Sequence, residues 1–204
     1  MERFHHGGEK KGTIRADFSV NLNPLGMPFA AVRALNADRT AFEAYPDTEC
    51  EEVRALLSEK MGCPPEQIVC GAGAADLIYR LPAALNLKKV LLAVPCFSEY
   101  ERALRMHGTE ITFLQTSPEA GFVLSEEYAS SGSDYDAIMI GNPGNPSGRL
   151  MAPEDYRRLL NWCAETKTTL ITDECFLPFA SGEKREKLRQ VRAKVTEADI
   201  IAIH

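Results

Sequence analysis

The sequence predicts an α/β protein built on a mostly parallel sheet with helices on both faces. Two observations lead there. Short apolar runs recur along the chain, at Val90–Val94, Glu110–Leu114, Ala137–Ile140, Leu170–Thr172 and Ile200–Ile203, and helical patterns lie between them. Runs that do not alternate cleanly between apolar and polar belong to strands covered on both faces, and strands separated by helices make parallel sheets.

The elements follow in order. The first 25 residues are polar and rich in Gly, Asn and Pro, and predict an arm with one extended piece at Asp17–Val20. Asn21, Asn23, Pro24 and Gly26 then interrupt regular structure. A short apolar helix is expected over 28–36. Thr48 and Glu51 have the spacing of a capping box. Cys50, Val53, Leu57 and Met61 follow at helical spacing, with Gly62 at the expected C-terminal cap. Ile68–Cys70 is expected to be a short buried strand. Phe97–His107 predicts a helix closed by Gly108. Pro153–Glu165 predicts another, with Pro at its first position, Glu154 and Asp155 in its first turn, and an inner stripe of Tyr156, Leu159, Leu160 and Cys163. Glu183–Lys194 carries both signs of charge and is expected to be a solvated helix face.

Composition narrows the function. The chain of 204 residues has 29 acidic and 23 basic side chains, a net charge of −6. That argues against a polyanion binder, which needs surplus Lys and Arg to neutralise phosphates. No apolar run approaches the ~18 residues of a membrane span, and the first residues lack a secretory pattern. The six cysteines are scattered without a CxxC pair, so reduced thiols in a cytoplasmic protein are expected. The four histidines are not spaced as metal ligands, and no metal is expected.

Four segments following strand candidates carry the chemistry. Gly71-Ala72-Gly73-Ala74-Ala75-Asp76 joins a strand candidate to a helix. Its small residues admit close approach of an anion, and a helix N-terminus offers free N–H groups. It is not GxGxxG, and no Walker lysine follows. Phe97 opens a helix just past a buried strand, placed to stack on a flat ring or to pack in the core. Asn142-Pro143-Gly144-Asn145-Pro146-Ser147-Gly148 is a constrained loop that presents the Asn145 amide. Asp173 ends a buried strand, where a carboxylate needs a cationic or hydrogen-bonding partner. On one sheet edge these make an anion cradle, a flat aromatic, an amide and a carboxylate, a set suited to a phosphorylated hydroxypyridine.

These motifs resemble the fold-type I pyridoxal-phosphate enzymes, specifically the class I/II aminotransferases. Asn145-Pro146-Ser147-Gly148 is similar to the family's Asn-Pro-[Ser/Thr]-Gly motif, and Asp173-Glu174 to its Asp-Glu pair. The resemblance runs from about residue 5 to 204 and corresponds to the N-terminal part of a family member. It implies pyridoxal 5'-phosphate as cofactor, its phosphate held by backbone amides around Gly73, Ala74 and Ala75. Phe97 would stack on the ring, Asn145 would bond the 3-hydroxyl oxygen, and Asp173 would pair with the ring nitrogen. Tyr45 would reach the phosphate of the neighbouring subunit in a homodimer. The implied organisation is an arm and small-domain portion at 1–36, then an incomplete cofactor-binding domain at 37–204.

Within the family, His6-Gly7-Gly8, Asp17 through Gly26 and Tyr45 through Cys50 resemble the threonine-phosphate decarboxylases of cobalamin biosynthesis. Histidinol-phosphate aminotransferases are their close relatives. Phe176 favours the decarboxylase side. Asn23 and His6 are the implied contacts to a small amino acid phosphate substrate, and neither nucleic acid nor membrane is implied as a partner. Two departures stand out. Arg149 occupies a position that is usually apolar. None of the nine lysines lies in the Ser-x-x-Lys segment that carries the family's Schiff-base lysine, which is expected immediately after the strand ending at His204. This predicts a chain with no catalytic residue of its own and marginal stability in isolation. A truncated, non-catalytic remnant is the reading from a different class.

Overall fold

The computed structural model describes residues 19–37, 40, 43–124, 126–130, 132 and 134–204. The chain divides into two compact units, Met1–Val69 and Cys70–His204.

Within the first unit, α1 spans Phe29–Ala37 and α2 spans Glu51–Met61. The capping box expected at Thr48 does not form. Asp47 caps instead: its carboxylate accepts from the Glu49 and Glu51 N–H groups at 2.9 and 2.7 Å. The tight turn places Cys50 in the left-handed region as the N-cap residue, so Asp47, not Thr48, faces the open N–H groups. Gly62 caps the C-terminus as expected, with φ +70°. The expected apolar stripe on α2 is not covered, and no residue of α1 or α2 is buried. A second correction concerns Ile68–Cys70. These residues follow a 3-10 turn at Pro65–Gln67 in extended form but join no ladder, and Val69 is exposed. A strand needs a hydrogen-bonding neighbour, and none is present for it among the described residues.

The second unit begins with α3 at Ala74–Ala84. It continues as β1 (Lys89–Val94), α4 (Ser98–His107), β2 (Glu110–Gln115), α5 (Glu127–Ser130) and β3 (Ala137–Gly141). Then follow α6 (Pro153–Thr166), β4 (Thr169–Asp173), α7 (Gly182–Lys194) and β5 (Ile200–Ile203). The five strands form one parallel sheet in the order β2-β1-β3-β4-β5. Alternate side chains feed two cores. Val90, Leu92, Ala137, Met139 and Ile171 pack under α3 and α4. Leu91, Ile138, Ile140 and Leu170 pack under α6 and α7 with Tyr156, Leu159, Leu160 and Trp162. Each core removes several large apolar side chains from water, at ~1.5–3 kcal/mol apiece relative to exposure.

The order places a switch between β1 and β3. The chain leaves β1 toward β2, then returns across β1 to build β3, β4 and β5 on the other side. Such a reversal opens a crevice at the carboxyl ends of the strands. Register sets the rows at that edge: Gly141 pairs with Asp173, and Asp173 with Ile203.

Candidate active site

Three of the four predicted segments leave adjacent strands at this edge. Phe97 follows β1, Asn145 follows β3, and Asp173 is the last residue of β4. Phe97 adopts extended backbone as the N-cap of α4, one residue later than expected for its role as the first helical residue. Its ring meets the Tyr100 ring edge-on, with centroids 5.7 Å apart and planes at 87°.

The partner required for Asp173 is Tyr100. The buried Tyr100 hydroxyl donates to Asp173 Oδ2 at 2.7 Å, and the Cys175 backbone N–H donates to Oδ1 at 3.0 Å. Both carboxylate oxygens are thus fixed. Burial first, and then the Asp173 charge, push the Tyr100 phenol well above its ordinary value, so it remains a donor. Burial pushes the Cys96 thiol up to about 12, aided by Glu101. Burial and then the contact with Asp173 push Cys175 up to about 12. Sequence reasoning missed Tyr100. Its only local signal is its position three residues after Phe97 on an amphipathic helix.

The loop after β3 is fastened by Asn142. Its side chain is buried, its Oδ1 accepts from Met151 N–H at 2.9 Å, and its backbone N–H donates to the Asp173 carbonyl at 2.8 Å. Gly144 and Arg149 close the loop through Gly144 N–H to Arg149 O at 2.8 Å. Asn145 is half-buried on a pocket at the switch point, together with Cys96, Gly141, Asn142, Ser147 and Arg149.

The first predicted segment lies at the start of α3. Gly73 has φ +84° with open space where a side chain would stand. Gly71 is constrained differently: a Cβ there would come within 2.8 Å of Asp76 Oδ2 and Leu77 Cδ2. Part of the expected cradle is already used. The Ala72 N–H donates to Asp76 Oδ2 at 3.0 Å, and Arg80 pairs with the other Asp76 oxygen at 2.9 Å. The N–H groups of Ala74 and Ala75 remain in the first turn, ahead of the intrahelical ladder. Ala74, Phe97, Cys96 and Cys175 all pack on the core that contains Tyr100, which brings this helix start to the same edge as the ring and carboxylate.

A family model described as aminotransferase class I and II matches residues 14–203. The chain belongs to the class I and II aminotransferase family. A threonine-phosphate decarboxylase of Salmonella typhimurium is 30% identical over 82% of this chain and 46% of its own length. A histidinol-phosphate aminotransferase of Desulfitobacterium hafniense is 34% identical over 83% of this chain and 48% of its own. The crystal structure of a histidinol-phosphate aminotransferase from Clostridium acetobutylicum superposes with a TM-score of 0.75 at 26% identity, over 91% of this chain and 54% of that one. The chain spans about half the length of the curated relatives it matches. The family is one of pyridoxal-phosphate-dependent aminotransferases. The candidate residues of the second unit are compatible in kind with that cofactor: an open glycine at a helix start, a half-buried amide, an aromatic ring and a carboxylate with both oxygens fixed.

The remaining predicted residues lie in the first unit. Asn23 closes a turn on itself, with Oδ1 accepting from Leu25 N–H and Nδ2 donating to Gly26 O, both at 3.0 Å. Tyr45 is 89% exposed. His6 and the first half of the Asp17–Val20 piece lie outside the described residues. Among the described residues, no helix is long and apolar enough to cross a membrane, and no group of His, Cys, Asp and Glu is arranged to hold a metal ion.

Sequence reasoning also misjudged part of α7. Arg192, inside the run read as solvated, binds the buried Glu174 carboxylate and donates to Tyr156 OH at 2.9 and 3.2 Å. Leu188, Val191 and Val195 supply the helical stripe that turns this face inward.

Proposed function

We propose that this chain is the cofactor-binding part of a pyridoxal-phosphate enzyme that decarboxylates an amino acid phosphate, with O-phosphothreonine as substrate and aminopropanol phosphate as product. The observation that carries the reading is Asp173, a carboxylate at the end of β4 with both oxygens fixed, beside loops that present Phe97 and Asn145. When bound, pyridoxal phosphate supplies an electron-poor ring that accepts the electron pair freed at the substrate's α-carbon.

The chain's own residues bind and orient. Ala74 and Ala75, with Gly73 before them, hold the phosphate at the positive end of α3. Phe97 would stack on the ring. The Asn145 amide would donate to the 3-hydroxyl oxygen. Asp173 would hold a proton on the ring nitrogen. Tyr45, exposed on the first unit, reaches the phosphate of the other subunit in a homodimer. Asn23 and His6 contact the substrate. The arm and small-domain portion comprises 1–36, and the cofactor-binding domain starts at 37. The enzyme works in the cytoplasm.

A second reading is transamination of histidinol phosphate, favoured by the 34% identity to the Desulfitobacterium hafniense enzyme. Phe176 supports the first. It packs against Phe179 at 6.1 Å and offers no hydroxyl to the cofactor. The test incubates the protein, at the length its reading frame encodes, with pyridoxal phosphate and each substrate. Carbon dioxide released from O-phosphothreonine supports decarboxylation. Consumption of 2-oxoglutarate with histidinol phosphate replaces it with transamination. Cofactor that borohydride cannot fix to the protein, with neither turnover, makes this a non-catalytic binder. No cofactor absorbance overturns the reading altogether.

A further inference from the structure

We infer that Tyr100 is a positioning residue, which acts through Asp173 to keep the proton of a bound pyridine ring on the ring nitrogen. The inference rests on the cofactor reading above and extends it to a residue outside the predicted site.

The geometry is specific. Tyr100 lies on α4, three residues after Phe97, and its ring packs edge-on against the Phe97 ring. Its hydroxyl reaches Asp173 Oδ2 at 2.7 Å, across 73 residues of sequence. One buried side chain thus touches both the candidate ring-stacking residue and the candidate ring-nitrogen partner. The thiols of Cys96 and Cys175 adjoin the pair, and both are held neutral at ordinary pH by burial. The Tyr100 hydroxyl and the Cys175 backbone N–H hold the two carboxylate oxygens, and the neutral Cys175 thiol adds a weaker contact to the same group.

The consequence follows from where a proton rests between a pyridine nitrogen and a carboxylate. A donor on the carboxylate stabilises its charged form, and with it the arrangement that keeps the proton on nitrogen. Hydrogen bonds to charged groups are stronger than neutral ones. Deleting the hydroxyl moves the equilibrium toward a protonated Asp173 and a neutral ring by about tenfold or more. The same hydroxyl also stops the carboxylate from rotating away from the ring plane, because Oδ1 and Oδ2 are tied to different elements, the β4–α7 connection and α4. Simple packing would need only the ring, and Phe would serve as well.

The test loads the protein with pyridoxal phosphate labelled with 15N in the ring and reads the nitrogen chemical shift. Tyr100→Phe keeps the ring and removes only the oxygen. Its shift is expected to move from the pyridinium side toward neutral pyridine. Replacing Tyr100 by 3-fluorotyrosine, a stronger donor of nearly equal volume, is expected to move it the other way, and decides the matter should Tyr100→Phe fail to fold. In the Asp173→Ala background, Tyr100→Phe is expected to leave the shift where Asp173→Ala alone puts it. A wild-type shift retained by Tyr100→Phe and indifferent to fluorination overturns the inference and leaves the cofactor reading standing. A wild-type protein that takes up no labelled cofactor overturns the cofactor reading itself.

Discussion

Substituting Arg192 by Met isolates a largely buried ion pair in the second unit. The Glu174 side chain is 4% exposed and that of Arg192 32%. The guanidinium binds Glu174 and also holds Tyr156 OH, itself fully buried. After Arg192→Met the nearest remaining cationic group to Glu174 is His204, at 4.0 Å and charged only when protonated. Leaving one member of a buried pair alone costs ~3–5 kcal/mol. The partial exposure of Arg192 lets water replace some of the loss, so about 3 kcal/mol is expected. With a urea m-value of ~2 kcal/mol/M, the midpoint falls by ~1.5 M. Trp162 is the single tryptophan and is packed edge-on to Tyr128 at 5.2 Å, so its fluorescence reports unfolding of this unit directly. The double variant Glu174→Met with Arg192→Met is expected to regain most of the loss, because an apolar pair of similar volume avoids burying either charge. The reasoning is refuted by a single variant within ~0.5 kcal/mol of wild type, or by a double variant as unstable as the single one.

Other consequences are open to direct measurement. Gly71→Ala puts a methyl 2.8 Å from Asp76 Oδ2 and Leu77 Cδ2; it is expected to cost ~1–3 kcal/mol of stability and to weaken pyridoxal phosphate binding in a spectral titration. Asn145→Ala should weaken that binding by ~1 kcal/mol, about fivefold, while leaving the melting temperature within a degree or two. The Cys96, Cys163 and Cys175 thiols are each pushed up to about 12, first of all by burial, so a thiol reagent at pH 8 should leave them unmodified until urea is added. The same raised values set a sign: their contribution to stability is fully present below the ordinary thiol range near ~8.5 and is lost as pH rises toward 12. Urea midpoints should therefore fall steadily from pH 8 to pH 10.

The sheet was legible because its strands are buried on both faces. Ala137–Ile140 and Val90–Val94 have no polar side to confuse the pattern, and the observed strands differ from expectation by one residue at an end. Helix ends marked by Gly62, Gly108 and Pro153 were legible for equally local reasons. Ile68–Cys70 was misread because a strand is a relation between segments, and its own residues cannot reveal whether a partner lies alongside. The same limit hid Tyr100. A phenol on an amphipathic helix gives no local sign of a carboxylate 73 residues away. The need was nonetheless visible from the other side, since Asp173 at a buried strand end demanded a partner of unspecified identity. Arg192 was lost in the charge density of EKREKLRQVRAK. Its inward direction becomes apparent only when Leu188, Val191 and Val195 are read as the stripe that fixes the helix face.

The two edges of the sheet are unequal, and that bears on how this chain behaves alone. β2 carries Glu110, Thr112 and Gln115, polar groups that discourage another strand from adding there. β5 reads Ile-Ile-Ala-Ile, with no charge, bulge or proline, and pairs with β4 on one side only. Its composition is that of an interior strand placed at an edge. The first unit points the same way. Val53, Leu56, Met61 and Val69 are exposed, and none of its described apolar side chains reaches full burial. Neither surface would persist easily in water, because each combines apolar area with open backbone groups or an uncovered helix face. The candidate site escapes the difficulty. Phe97 and Asn145 follow β1 and β3, and Asp173 ends β4, the three strands with neighbours on both sides. The chemistry is therefore built on the best-supported part of the sheet, while the uncovered surfaces lie at β5 and on the first unit's helices.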